Sequence, residues 1–204
     1  MSVEKNSPAR KLPRDFYTRP SVLTVARELL GKLLVVPAGD TRVSGKIVEV
    51  EAYRGPHDRA AHSYGGRRTK RTEPMYGIGG TAYVFFVYGM YFQFNVVTNA
   101  AEIPHAVLIR AVEPVEGIEL MRARRTVRTD RDLTNGPGKL CIALNIDRRL
   151  DGVDLLGSDV WLEEGEKITP SQIQQGPRIG IDYAEEWKEK PWRFWIKNNP
   201  FVSR

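Results

Sequence analysis

Glu49 and Glu51 stand two residues apart in Glu49-Val50-Glu51-Ala52-Tyr53, inside a run that alternates as a strand does. Ile47, Glu49, Glu51 and Tyr53 then share one face, with Val48, Val50 and Ala52 on the other. Two carboxylates cost much free energy to bury without partners. This face is therefore either open to solvent or committed to a function. A carboxylate in a partly apolar pocket can act as a general base that takes a proton from water. His62 follows closely, in Ala60-Ala61-His62-Ser63. Read as metal ligands, Glu51, His57 and His62 match no recognised spacing such as His-Glu-x-x-His, and no metal is expected.

A second group is aromatic. Tyr83, Phe85, Phe86, Tyr88, Tyr91, Phe92 and Phe94 place seven rings within twelve residues. Core packing accounts for most of them, since aromatics favour strands and interiors. Tyr88-Gly89-Met90-Tyr91 stands apart, because a tyrosine at a hairpin tip is badly placed for a core and well placed to wedge between stacked bases. Gly136-Pro137-Gly138-Lys139 precedes an apolar helical stretch, and the N–H groups at a helix start, with one lysine, suit an anion. It lacks the spacing and the trailing hydroxyl residue of a Walker A loop.

These residues need elements to hold them. A helix is expected from Pro20 to Leu30, where Val22, Val25, Ala26, Leu29 and Leu30 recur at helical spacing and Gly31 suits the end. Strands are expected at Leu33–Val36, Lys46–Tyr53, Ala106–Val112, Val160–Leu162 and Trp192–Lys197, and a hairpin at Ala82–Thr98. Two further helices are expected, Pro114 to about Arg125 and Lys139–Leu144. Gly55 to Gly80 reads as a long loop, which inside a compact domain is functional or disordered. Strands cluster in the middle with helices around them. This predicts an α+β class, as a single domain over 12–204 with a mainly antiparallel sheet and a basic, flexible tail over 1–11.

The net charge is +6, and basic residues fall in two runs: Arg67, Arg68, Lys70 and Arg71, and then Arg122, Arg124, Arg125, Arg128 and Arg131. Either run suits a phosphate backbone or an ordinary solvated face. Cys141 is the single cysteine, which excludes an internal disulfide and any multi-cysteine metal site. No apolar stretch approaches the length of a membrane span, and the first residues carry no apolar segment of the signal-peptide kind. An intracellular protein is expected, with no membrane contact.

Several ordered motifs together resemble the alkyladenine (3-methyladenine) DNA glycosylase family. They are Glu51-Ala-Tyr53-Arg-Gly-Pro56 with Asp58, Ala60-Ala-His62-Ser63 with Gly65-Gly-Arg67, and Tyr83-Val-Phe85-Phe-Val-Tyr88-Gly-Met-Tyr91-Phe followed by Asn95. Arg110-Ala-Val-Glu-Pro-Val-Glu-Gly117, Asn135-Gly-Pro-Gly-Lys-Leu-Cys141, Pro177-Arg-Ile-Gly180 and Pro191-Trp-Arg-Phe194 continue the likeness, which runs from about Leu12 to Ser203.

The resemblance implies a compact domain with a curved antiparallel sheet, surrounding helices and a protruding hairpin, with no metal and no cofactor. It implies a monofunctional enzyme of base excision repair that flips alkylated or deaminated purines out of double-stranded DNA and hydrolyses the glycosidic bond. Glu51 matches the general base, and Tyr53, His62, Phe85, Asn95 and Arg110 match base-pocket positions. Tyr88 matches the intercalating tyrosine. Arg67, Arg68, Lys70 and Lys139 are expected at the DNA backbone, and a monomer is expected. Phe85 departs from the family's better-known members, which carry tyrosine there. Stacking needs only the ring face, so it survives, but any bond from the hydroxyl is lost.

One geometric test follows. A two-residue Gly89-Met90 turn would pair Phe85 with Phe94 and put Asn95 on the opposite face, whereas a three-residue Tyr88-Gly89-Met90 tip pairs Phe85 with Gln93 and Tyr83 with Asn95 on one face. The pocket needs the second register. Two rival readings are a helix-hairpin-helix glycosylase, suggested by Gly136-Pro137-Gly138, and a non-catalytic module binding single strands through aromatics on a sheet.

Overall fold

A computed structural model describes residues 10–203. Eight strands form one antiparallel, unclosed sheet. They are β1 (Leu33–Ala38), β2 (Thr41–Arg54), β3 (Ala82–Val87), β4 (Tyr91–Thr98), β5 (His105–Glu116), β6 (Trp161–Glu163), β7 (Ile173–Gly176) and β8 (Arg193–Ile196). The order is β3-β4-β5-β2-β1-β6, and β8 joins β2 while pairing with β7. Helices α1 (Arg14–Tyr17), α2 (Val22–Leu29), α3 (Ile118–Arg124) and α4 (Pro137–Leu144) pack around it. The class is α+β, as the sequence predicts, and so many strands rule out the mostly helical helix-hairpin-helix alternative. Of the expected tail over 1–11, all but Arg10 and Lys11 lies outside the described residues. Lys11 is bridged to Glu163, and its Nζ donates to the Gly157 carbonyl at 2.6 Å.

The central strand β2 is longer than its alternating stretch suggests, because a β-turn at Gly39-Asp40 pairs Ala38 with Thr41 and extends the ladder from there. It bonds to β1 and β8 along one edge and to β5 along the other. Val43, Ile47, Val50 and Ala52 enter the main core with Leu29, Leu34, Val107, Ile109 and Phe194. Helix α2 covers that core through Val22, Val25, Ala26 and Leu29. It begins later than expected: the Ser21 Oγ accepts from the Thr24 N–H at 3.2 Å, so Ser21 caps the helix and Pro20 precedes the cap.

The stretch from Pro114 is a correction. Pro114 to Glu116 prolong β5, with Pro114 opposite Gly45 beside a register shift, and the helix starts only at Ile118 after Gly117 turns the chain at φ +69°. Proline tolerates this irregular position, where no regular ladder N–H is required of it. Strand β7 is absent from the sequence reading, since Gln174 and Gln175 carry no apolar alternation.

Candidate base pocket and active site

Two irregularities in the β2–β5 ladder aim the charged groups. Val50 pairs with Ile109 and Glu49 with Ala111, so Arg110 is an extra residue in a bulge. From there its guanidinium reaches both acids: Nε donates to Glu49 Oε1 at 2.9 Å, and Nη1 lies 3.3 Å from Glu51 Oε1. Glu49 is further held by Arg193 Nη1 at 3.1 Å and by the backbone N–H and hydroxyl of Ser203 at 2.7 and 2.9 Å. Both carboxylates are fully buried. The acidic face is thus not solvated; it is buried and neutralised by two arginines. Burial opposes the Arg110 charge, but Glu51 and Glu49 outweigh it and raise its pKa.

Among the described residues, the C-terminal segment gives Glu51 one partner, a backbone group. The Ile179 N–H donates to its Oε1 at 2.8 Å, and the Tyr53 hydroxyl donates to Oε2 at 2.8 Å. Burial, then the neighbouring Glu51 charge, pushes the Tyr53 phenol well above its ordinary value, so it remains a donor. Oε2, with one donor, retains a lone pair for another.

Directly over this carboxylate is a cavity of about 240 Å³. Tyr53, Leu108, Arg110 and Ile179, which surround Glu51, line it, although Glu51 itself does not reach its surface. His62, Phe85, Tyr88 and Asn95 line the same cavity. All the pocket positions expected from the sequence therefore converge. The hairpin has the three-residue tip: Val87 pairs with Tyr91, Phe85 with Gln93 and Tyr83 with Asn95. The Asn95 amide donates to the Tyr83 carbonyl at 3.2 Å.

His62 is fixed by Tyr83, whose hydroxyl lies 2.8 Å from Nδ1, and by the Phe85 ring at a 4.5 Å edge-on centroid distance. Burial, reinforced by the Arg71 and Arg67 charges, lowers its pKa to about 4. The ring is therefore neutral at pH 7. Tyr88 projects from the tip with 76% of its surface exposed and left-handed backbone at φ +54°. Gly138 brings α4 against the hairpin, since a Cβ there would lie 2.8 Å from Tyr91 Cγ. The start of α4, with Lys139, thus flanks the exposed tip.

Not every basic residue is free. Arg68 is paired with Glu73 and Glu102 at 2.6 and 2.5 Å. Lys139 Nζ donates to Asn135 Oδ1 at 2.8 Å. Arg67, Lys70 and Arg71 have no carboxylate partner among the described residues. In the second basic run, Arg122 pairs with Asp130, Arg124 donates to the Ala143 carbonyl and Arg125 to the Asp132 and Leu133 carbonyls. Those three arginines staple α3 to its surroundings and form no free basic face.

Two contributors, both within the Pro177-Arg-Ile-Gly180 motif, were given no role by the sequence reading. Arg178 is fully buried against Asp58, and its guanidinium lies 4.7 Å from the Tyr53 ring centroid. Asp58 also accepts from the backbone N–H groups of Arg54 and Ala60, fixing the loop that leads to His62. Asp58 belonged to a motif, but nothing local pointed to a partner 120 residues away. The Ile179 N–H could not be read from residue type at all. His57 lines a different cavity from His62, and no group of three metal-ligating side chains occurs among the described residues. None of the described helices is long and apolar enough to cross a membrane.

The chain resembles known proteins over nearly its whole length. The sequence pattern of the family described as Methylpurine-DNA glycosylase (MPG) matches residues 15–200. A protein of Clostridium acetobutylicum is 53% identical over 95% of this chain and 97% of its own length. One of Desulfitobacterium hafniense is 52% identical over 95% and 98%, and one of Bacillus cytotoxicus is 50% identical over 95% and 100%. All three bear the provisional name of 3-methyladenine DNA glycosylase. A buried carboxylate under an aromatic pocket, and a family pattern that spans nearly the whole sequence, lead to one conclusion: the chain belongs to the methylpurine-DNA glycosylase family.

Proposed function

We propose that this DNA glycosylase flips an alkylated or deaminated purine out of duplex DNA and hydrolyses its N-glycosidic bond with a water activated by Glu51. The observation that carries the reading is the Glu51 carboxylate beneath a cavity walled by Tyr53, His62 and Phe85. A base inside a duplex cannot reach such a site, so the nucleotide must rotate out of the stack. Tyr88, exposed on a narrow tip, fills the space it leaves. Arg67, Lys70 and Lys139 contact phosphates without reading sequence. Arg68 joins them only by exchanging its glutamates for phosphate.

In the pocket the base stacks between Tyr53 on one side and Phe85 with His62 on the other. Asn95 crowds the position of a guanine 2-amino group and disfavours that base. Glu51 takes a proton from water as the water oxygen bonds to the sugar C1′, and its charge steadies the oxocarbenium character that develops there. Because the carboxylate is buried, water reaches it by displacing the longer Arg110 contact or by using its spare lone pair. Among the described residues no lysine lines the cavity, which supports simple hydrolysis without a Schiff base or strand cleavage.

The test is base release from duplexes carrying hypoxanthine or ethenoadenine and from methylated DNA, with wild type and Glu51→Gln. Release by the wild type, and its loss in the variant with lesion binding retained, is expected. Equal release by both proteins would remove Glu51 from the role. A covalent complex trapped by borohydride would overturn the monofunctional reading.

A further inference from the structure

The charges around the base pocket are balanced on every side but one. Glu49 and Glu51 are matched by Arg110 and Arg193. Behind the Tyr53 wall, Arg178 is matched by Asp58, with both side chains fully buried. Behind the Phe85 wall the arrangement differs. The Arg71 guanidinium lies 5.1 Å from the Phe85 ring centroid, and Arg71 has no carboxylate partner among the described residues. It lines a neighbouring cleft of about 290 Å³, with Arg59, Arg67 and Thr69, and does not line the base pocket. Phe85 does line the pocket. The ring thus stands within cation–π distance of an uncompensated cation while bordering the space the base would occupy.

An aromatic face attracts a cation through its electron-rich π cloud. A ring that already serves Arg71 on one face has less to offer a second cation on the other, and the two positive charges repel through it. We propose that Arg71, acting through Phe85, biases this pocket toward neutral purines such as hypoxanthine and away from purines made cationic by ring alkylation. This rests on the base-pocket reading given above and specifies its substrate class.

The bond-breaking step gives the bias its direction. When a neutral purine leaves, the C1′–N bond breaks and its electron pair stays on the purine, which becomes anionic. Water oxygen bonds to C1′, its proton passes to Glu51, and the purine then takes a proton from solvent. The positive charge behind Phe85 steadies that anion as it forms. A cationic purine leaves as a neutral molecule; Arg71 opposes its entry and has no anion to stabilise. The pocket wall already registers this charge: Arg71 adds to the burial that holds His62 neutral, and opposes the burial that pushes the Tyr83 phenol up to about 12.

Arg71 is a positioning residue here, and its test needs a split between steps. Single-turnover base release is measured at saturating enzyme on duplexes containing hypoxanthine or 7-methylguanine, for wild type, Arg71→Gln and Arg71→Lys. Arg71→Gln is expected to lower the hypoxanthine to 7-methylguanine rate ratio by about three- to tenfold, and Arg71→Lys, which keeps the charge, to stay within about twofold. In a Phe85→Leu background, Arg71→Gln is expected to leave the ratio unchanged. An equal fall on both lesions, or a change confined to the enzyme concentration for half-saturation, would overturn the proposal and leave Arg71 as a backbone contact. Should Arg71→Gln fail to fold, Arg71→Met is read in the same way. Wild type inactive on both duplexes would instead overturn the pocket reading beneath the proposal.

Discussion

Asp58 and Arg178 form a two-pronged ion pair with no solvent exposure, Oδ2 to Nη1 at 2.5 Å and Oδ1 to Nη2 at 2.8 Å. The pair ties the loop that carries His62 to the segment whose Ile179 N–H holds Glu51. It also supports the Tyr53 ring from behind. Breaking one partner of such a pair leaves a buried charge alone. Asp58→Asn is expected to destabilise the fold by about 3–5 kcal/mol. Adding Arg178→Met should recover part of that loss. Chemical denaturation of the single and double variants checks this, and a double variant weaker than the single would contradict it.

Tyr53 has two separable duties, a stacking face and a hydroxyl on Glu51. Tyr53→Phe keeps the first and removes the second. A hydrogen bond to a charged group contributes about 1.5–3 kcal/mol. Base release is expected to slow by about tenfold or more, while affinity for lesion DNA stays near that of the wild type. If affinity fell and the saturated rate did not, the hydroxyl would matter for binding and not for Glu51.

Tyr88 holds a left-handed backbone, which costs a side-chain-bearing residue about 1–2 kcal/mol. At an exposed tip no packing demands it. Tyr88→Gly is therefore expected to leave the melting temperature unchanged or slightly higher, and to weaken retention of lesion DNA by tenfold or more. A large loss of thermal stability would show that the ring serves the fold instead.

His62 and His105 are both held near a pKa of about 4, chiefly by burial. Their unfolded values lie higher, near 6.5. Between those limits the unfolded chain binds more protons than the folded one, so stability is full above about pH 6.5 and falls as the pH drops toward 4. The loss is of the order of 1–3 kcal/mol per histidine. His62→Gln should flatten the slope by about half, measured by urea unfolding at pH 7 and pH 4.5. An unchanged slope would mean that His62 is not the group that titrates.

How much of this was legible beforehand depended on distance along the chain. Tyr53 and His62 share one short segment with Glu51, and Phe85, Tyr88 and Asn95 share one hairpin; the family resemblance of these two motifs grouped them, and the five besides Glu51 line one cavity. The tip register followed from the need to put Phe85 and Asn95 on one face. The roles of Arg178 and Ile179, though their motif was noted, were out of reach because their partners lie more than a hundred residues earlier, and a backbone donor has no residue-type signature. The second basic run, read as suiting either a phosphate backbone or a solvated face, has a further use that residue type does not show. Arginine reads as surface charge, yet Arg124 and Arg125 spend their donors on carbonyl groups at helix and loop ends. Pro114 misled because a proline after a strand resembles a helix start, while here it sits within the ladder.

The strand that bears Glu51 is hydrogen-bonded on both edges, to Leu108 on one side and Arg193 on the other. The Glu51 carboxylate therefore cannot be moved by loosening its own backbone without breaking the sheet on both sides. A change at Phe85 or Arg71, by contrast, alters a side chain on the edge hairpin or in a turn and leaves the pairing of that central strand intact.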